Sequence, residues 1–296
     1  MSRRYAVIGN PVEHSRSPAI HEQFARQTGI ELEYGRILAP VDGFVEAVER
    51  FRDAGGAGLN VTVPFKVAAF EWAPRHSERA IEAGAVNTLR FDENVAPGGV
   101  AWGDNTDGAG LVRDLIDRQG FALAGRSVLL LGAGGAARGI VGPLLDAGIA
   151  RLVVANRSPA NAEQLAEAFA TRAVHPVVVA LDTVEPGFDL VVEASGSGLR
   201  NEPVALADEV LAAASLAYDL YYSMQPTAFV RQAFAAGCAR ACDGLGMLVE
   251  QAAESFLVWH DVRPETEPVF RTLREALRTG APMPHTGRAA RRPTGR

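Results

Sequence analysis

An apolar run that ends in glycines leaves a chain few ways to fold. Ser127-Val128-Leu129-Leu130-Leu131 passes directly into Gly132-Ala133-Gly134-Gly135-Ala136-Ala137. A strand that is apolar throughout is buried on both faces, the condition of a parallel sheet covered by helices. The G-x-G-x-x-A spacing permits a tight turn and brings a pyrophosphate close to the N-terminus of the helix that follows and ends near Gly148. Alone the glycine pattern is weak; between a strand and a helix it gains its meaning. Further strands are predicted at Leu152-Val153-Val154-Ala155, Val177-Val178-Val179, Leu190-Val191-Val192 and Leu216-Ala217-Tyr218-Asp219-Leu220. The second half is therefore α/β, with a Rossmann dinucleotide-binding arrangement.

The second strand of this unit runs into Asn156-Arg157-Ser158. An NAD site places an acid at this point for the ribose 2′-hydroxyl, whereas an arginine accommodates a 2′-phosphate. The lack of an acid and the presence of Arg157 point to NADP, against the plainer reading of a capping loop with a solvated arginine. The loop Ala194-Ser195-Gly196-Ser197-Gly198 lies where carboxyl ends of strands meet a cofactor.

The first half centres on Asn60-Val61-Thr62-Val63-Pro64-Phe65-Lys66. Leu59, Val61 and Val63 alternate with Asn60 and Thr62, which predicts a strand with one buried face and both polar side chains on the other. Pro64 stops the ladder, and the turn brings Lys66 to the rim of the polar face. An amide, a hydroxyl and an amine suit a polyhydroxylated substrate; an edge strand with a solvated lysine is the plainer alternative. Upstream, Ser15 and Ser17 precede a helix predicted to start at Pro18, to end before Gly29 and to bury Ile20 and Phe24. Ser17 reads either as its N-cap or, with Ser15, as a carboxylate site at the helix N-terminus. An amphipathic helix is expected within 40–55 (Phe44, Val45, Val48, Phe51), and another over 66–82, broken at Pro74. Asn87, in the next short strand, is a turn amide or a second substrate amide. In Gly103-Asp104-Asn105-Thr106-Asp107-Gly108, Thr106 or Asp107 caps the following helix, or Asp107 pairs with Lys66 and holds its amine for proton transfer. Near the end, Gln251 interrupts the apolar stripe that contains Leu248, Ala252 and Ser255.

With 296 residues the chain has room for two domains. Its 48% hydrophobic and 22% charged residues are those of a globular protein, and a net charge of −6 argues against general nucleic-acid binding. No apolar run reaches the length of a membrane span. The first strand pattern, at Tyr5, leaves no room for a signal peptide. Cys238 and Cys242 lack zinc-site company, so reduced thiols and a cytoplasmic location are expected. The tail over 280–296, with four arginines, three prolines and no acid, reads as disordered.

Taken together, these stretches resemble the shikimate dehydrogenase family, NADP-dependent enzymes that reduce 3-dehydroshikimate in aromatic amino-acid biosynthesis. The likeness is carried by VIGNPVEHSRSPAIH, NVTVPFK, GAVNTL, GDNTDG, LLGAGGAARG, ANRS, YDLYYS and GLGMLVEQAA, in the family's order. It implies a two-domain α/β fold: a substrate domain from 1–107, a Rossmann NADP-binding domain over 108–243, and C-terminal helices over 244–279 that complete the substrate domain. Ser15 and Ser17 would hold the substrate carboxylate. Asn60, Thr62, Asn87, Tyr222 and Gln251 would order the ring and hydroxyls, with Lys66 and Asp107 as the catalytic pair. Gly132, Ala133, Gly134, Gly135, Ala136 and Ala137 would bind the pyrophosphate. Asn156, Arg157 and Ser158 would hold the adenosine 2′-phosphate, and Leu220 and Gly244 would line the nicotinamide side. One departure is Asn161, where relatives often carry a second basic residue; it weakens the expected preference for NADP over NAD. Quinate/shikimate dehydrogenases belong to the same family, and Ser15, Ser17 and NVTVPFK favour the biosynthetic enzyme over them. Action on an amino-shikimate, or a non-catalytic NADP-responsive regulator, are the other readings. The expected partner is a small-molecule substrate, the expected state a monomer or homodimer.

Overall fold

The computed structural model describes residues 2–91 and 100–280, so the arginine-rich tail beyond Gly280 lies outside the described residues. The first part of the chain alternates β1 (Arg3–Gly9), α1 (Ser17–Thr28), β2 (Leu32–Leu38), α2 (Phe44–Asp53), β3 (Gly56–Val61), α3 (Lys66–Trp72), β4 (Arg75–His76), α4 (Glu78–Ala83), β5 (Thr88–Phe91) and β6 (Ala101–Asp104). These strands form one sheet in the order β2-β1-β3-β5-β6-β4. β1 runs parallel to β2 and β3, and β5 runs antiparallel to β3 and β6.

Helix α5 (Asp107–Arg113) then continues as a π-helical turn, Asp114–Arg118, into a second set of elements. These are β7 (Ser127–Leu131), α6 (Gly135–Asp146), β8 (Arg151–Ala155), α7 (Pro159–Glu167), β9 (Val177–Val179), β10 (Leu190–Glu193), α8 (Ser197–Arg200), α9 (Asp208–Ala213), β11 (Leu216–Asp219), α10 (Ala228–Ala236) and β12 (Ala241–Cys242). Read from one edge, the sheet is β9-β8-β7-β10-β11-β12 and wholly parallel. That is the doubly wound order, with its switch point between β7 and β10. Two helices close the chain, α11 (Leu245–His260) and α12 (Glu267–Thr279). Helix α11 returns to the first unit, where Val249, Ala252 and Phe256 share a core with Ile20 and Phe24 of α1.

Several elements differ from the sequence reading in instructive ways. Strand β3 is buried at all six positions and ends at Val61, while Val63 is 38% exposed. Leu59 and Val61 pack into the core with Ile8, Val48 and Phe65. The opposite face, which carries Asn60, is covered by α11. β3 is therefore a central strand. Helix α1 has Arg16 at its N-cap with no side-chain cap bond, so Ser17 is not a cap but the first helical residue. Its end at Gly29 (φ 70°) and its buried Ile20 and Phe24 are as predicted. The helix expected over 66–82 is broken at Pro74 as predicted; the gap holds the short strand β4, and Ser77 starts α4 afresh by accepting from the Ala80 N–H at 3.2 Å. In α2, Phe44 and Val48 are buried whereas Val45 is 47% exposed.

Gly58 shows how closely α11 is applied to the sheet. A Cβ there would lie 2.6 Å from the Leu89 carbonyl oxygen and 2.7 Å from Trp259 Nε1, which itself donates to that carbonyl at 3.0 Å. Gly58→Ala must push backbone or indole aside. It is expected to destabilise the fold by about 1–3 kcal/mol, read from the urea midpoint at constant m-value.

Candidate active site

Three buried amides organise the site, and backbone groups dictate how each is turned. The Thr106 N–H can only donate, and it lies 2.8 Å from Asn87 Oδ1. The Asn87 amino group must then face the other way, where it donates to Asp107 Oδ1 at 2.9 Å and Gln251 Oε1 at 3.3 Å. Gln251 is fixed in turn because its Nε2 donates to the Leu248 carbonyl at 2.8 Å. Asn60 Nδ2 donates to the Asn87 carbonyl at 3.3 Å and to Ser255 Oγ at 2.8 Å, which leaves its Oδ1 for the Tyr34 hydroxyl at 2.6 Å. Thr88, Thr106 and Ser255, all fully buried, fill the remaining positions between these amides. Asn60, Asn87 and Gln251 are 5%, 2% and 8% exposed, so this network is dry.

The network ends on an ion pair. Asp107 accepts from Asn87 through Oδ1 and from Lys66 Nζ through Oδ2 at 2.5 Å. The side chains of Lys66 and Asp107 are 12% and 6% exposed. Neither Thr106 nor Asp107 caps α5 with its side chain; Asn105 Oδ1 instead accepts from the Asp107 N–H at 3.2 Å, and the Asp107 carboxylate is left for the lysine. At another corner the Ser15 and Ser17 hydroxyls are 3.2 Å apart. Thr62 follows β3, with its methyl group 2.4 Å from where a Cβ on Gly9 would be. Tyr222 packs against the core shared by α1 and α11, and burial raises its pKa.

Strand register collects the second group of predicted residues. Leu131 pairs with Ala155 and with Glu193, and Glu193 pairs with Asp219. The residues that follow these strands, Gly132, Asn156, Ala194 and Leu220, thus share one edge of the sheet. Gly132 has φ 113°, and a Cβ on it would lie 2.7 Å from the Ser195 nitrogen. Gly134, the N-cap of α6, has nothing within 4 Å of where its Cβ would be. The Leu220 carbonyl oxygen lies 2.2 Å from the Cβ position of Gly244, so only glycine fits there. Asn156 Nδ2 is tied to the Ser158 carbonyl, and Arg157 and Asn161 are exposed. The two edges meet: a Cβ on Gly135 would lie 3.3 Å from Lys66 Cβ. A closely approachable glycine turn, an open helix N-terminus and an exposed arginine fit a phosphorylated dinucleotide.

The comparisons with known proteins match this arrangement. Residues 7–89 match the shikimate dehydrogenase substrate binding domain, 114–214 the shikimate/quinate 5-dehydrogenase family and 244–274 the shikimate 5′-dehydrogenase C-terminal domain. The shikimate dehydrogenase (NADP(+)) of Aromatoleum aromaticum is 53% identical over 94% of this chain and 99% of its own. The chain belongs to the shikimate dehydrogenase family. Among solved structures, an Ael1 enzyme from Pseudomonas putida superposes with a TM-score of 0.83 at 45% identity, covering 92% of this chain and 98% of its own. Shikimate 5-dehydrogenase from Thermus thermophilus, solved with NADP(H) and shikimate, has a TM-score of 0.80 at 33% identity, covering 93% and 99%.

Some residues of the site went unpredicted. Tyr34, Thr88 and Ser255 complete the amide network, and Glu193 accepts from the Ser195 N–H at 2.9 Å and the Ser197 hydroxyl at 3.1 Å to hold the small-residue loop. Burial raises the Glu193 pKa and pushes Asp219 up to about 6. Helical spacing marks Ser255 only as part of a helix face, and nothing local marks Tyr34. Among the described residues, no group of three or more His, Cys, Asp or Glu is placed to hold a metal, and no helix is long and apolar enough to cross a membrane.

Behind Asn60, the His21 ring stacks on Tyr34 with centroids 4.3 Å apart. Its complete burial, reinforced by His260, pushes its pKa down to about 3. The folded state keeps this imidazole neutral, while the unfolded chain protonates it below about pH 6.5. Its effect on stability is therefore absent above that pH and grows unfavourable as the pH falls towards 3. His21→Phe keeps the stack and removes the titration. Between pH 6 and 4 its unfolding free energy should decline less steeply than that of wild type, by up to about 1.4 kcal/mol per pH unit in denaturant titrations. Asp219 acts in the opposite sense over part of this range but is common to both proteins.

Proposed function

We propose that this protein catalyses the reversible NADPH-dependent reduction of 3-dehydroshikimate to shikimate, in the cytoplasm, for aromatic amino-acid biosynthesis. The observation that carries the reading is the contact between its two halves: the Lys66–Asp107 pair at 2.5 Å sits directly beside the glycine turn. NADPH, when bound, supplies the hydride. The substrate unit is 1–107 with 244–279, and the cofactor unit is 108–243.

Lys66 donates a proton to the oxygen that becomes the C3 hydroxyl of shikimate, and takes it back in the reverse direction. Asp107 keeps the amine aimed, and Asn87 keeps Asp107 from rotating. Ser15 and Ser17 bind the carboxylate. Asn60, Thr62, Tyr222 and Gln251 order the ring and its hydroxyls. Gly132, Ala133, Gly134, Gly135, Ala136 and Ala137 hold the pyrophosphate, and Leu220 and Gly244 line the nicotinamide side. Asn156, Arg157 and Ser158 take the 2′-phosphate with one arginine, since the neutral Asn161 stands on the first turn of α7.

Reduction of NADP⁺ by shikimate, followed at the reduced-nicotinamide absorbance, tests the reading; quinate and NAD⁺ should be poor replacements. Lys66→Ala should lower kcat by ~10²- to 10⁴-fold, because it removes the proton donor. A smaller change in kcat than in KM would reassign the lysine to binding. Arg157→Ala should narrow the NADP-over-NAD ratio of kcat/KM by about ten- to a hundredfold, the weight of one charged hydrogen bond.

A further inference from the structure

Strand β2 contributes a residue to the site that neither motif nor periodicity marks. Arg36 directs both Nε, at 3.1 Å, and Nη2, at 2.6 Å, onto the carbonyl oxygen of Ser15. Two donors on one acceptor brace the loop that carries the Ser15 and Ser17 hydroxyls. A carbonyl is neutral, so this grip leaves the exposed guanidinium without a protein counter-charge, screened only by solvent and salt. Among the described residues no carboxylate lies within ion-pair distance of Arg36, whereas Arg79, Arg118, Arg172, Arg263 and Arg274 each pair with at least one. Tyr222 packs against the core formed by Ala19 and Ile20 of α1, the helix into which the same loop leads. Hydroxyls supply direction for an anion but no net charge. A cation beside them supplies the attraction that a carboxylate feels and a neutral group does not.

We propose that Arg36 positions Ser15 and makes this subsite selective for a ring that bears a carboxylate over one that bears a neutral group in its place. The inference rests on the functional reading above, and it assigns the charge selectivity of that site to β2. Its signature is a difference between two ligands, which a loop brace alone does not produce.

The test compares wild type, Arg36→Met and Arg36→Lys, with shikimate and with its neutral methyl ester. Turnover with NADP⁺ and equilibrium binding by calorimetry are measured at low and high salt. Arg36→Met should raise the KM and Kd for shikimate roughly ten- to a hundredfold, with a markedly smaller effect on the ester. Arg36→Lys should recover part of the preference, as a charge without the two-pronged grip. Salt should erode the acid-over-ester preference of wild type more than that of Arg36→Met. Equal losses on acid and ester would overturn the proposal and leave Arg36 a brace; so would no loss on the acid. Wild type that binds shikimate without turning it over would refute the functional reading and leave the Arg36 comparison decisive through binding. Wild type that neither binds nor turns over shikimate would overturn both.

Discussion

A carboxamide sealed from water must find acceptors for two N–H bonds and donors for its oxygen, and Asn87 meets this demand in a way that sets everything around it. Its oxygen is claimed by the Thr106 N–H, so its amino group has one direction left, and Asp107 lies in that direction. The aspartate, held at one oxygen, presents the other to Lys66. Rotating the amide by half a turn would set its oxygen against a carboxylate and its N–H groups against an N–H. The cost of buried, mispaired polar groups makes that state inaccessible. The orientation of the lysine is thus inherited from the backbone at Thr106, three hydrogen bonds away.

The second sheet solves a different problem by register. Four strands end level, and each is followed at once by a residue on the same edge: a glycine turn, Asn156, the small-residue loop and Leu220. A parallel sheet gives this alignment without any long side chain having to reach. The first sheet is mixed in direction and buried on both faces at β3, so it builds its site from side chains in the interior. One half positions with main chain, the other with amides and hydroxyls.

This contrast explains what could be read from the sequence. This edge of the second sheet depends on neighbours in the chain, a strand followed directly by glycines, and its elements are where the pattern puts them. The Lys66–Asp107 pair was legible as one of two readings of Asp107 and through the family resemblance, but not as a distance, because 41 positions of chain separation carry none. β3 looked half exposed because alternation cannot tell solvent from the polar face of a covering helix. Ser17 looked like a cap because its type and place suit one; the backbone gives that position to Arg16. Tyr34 and Arg36 were invisible, since a tyrosine and an arginine in a short strand are ordinary until the fold shows what they touch.

The covering helix α11 also gives the molecule a direction in time. The first sheet is complete in sequence at Asp104, yet the groups that dry and saturate its polar face, Gln251, Ser255 and Trp259, lie near the end of the chain. On the ribosome, where the N-terminal part emerges first, Asn60, Asn87 and Thr88 lack this cover until α11 has been made. The polar face of the first sheet is therefore dried late, although the hydrogen bonds that run from Thr106 through Asn87 and Asp107 to Lys66 use only residues made before α11.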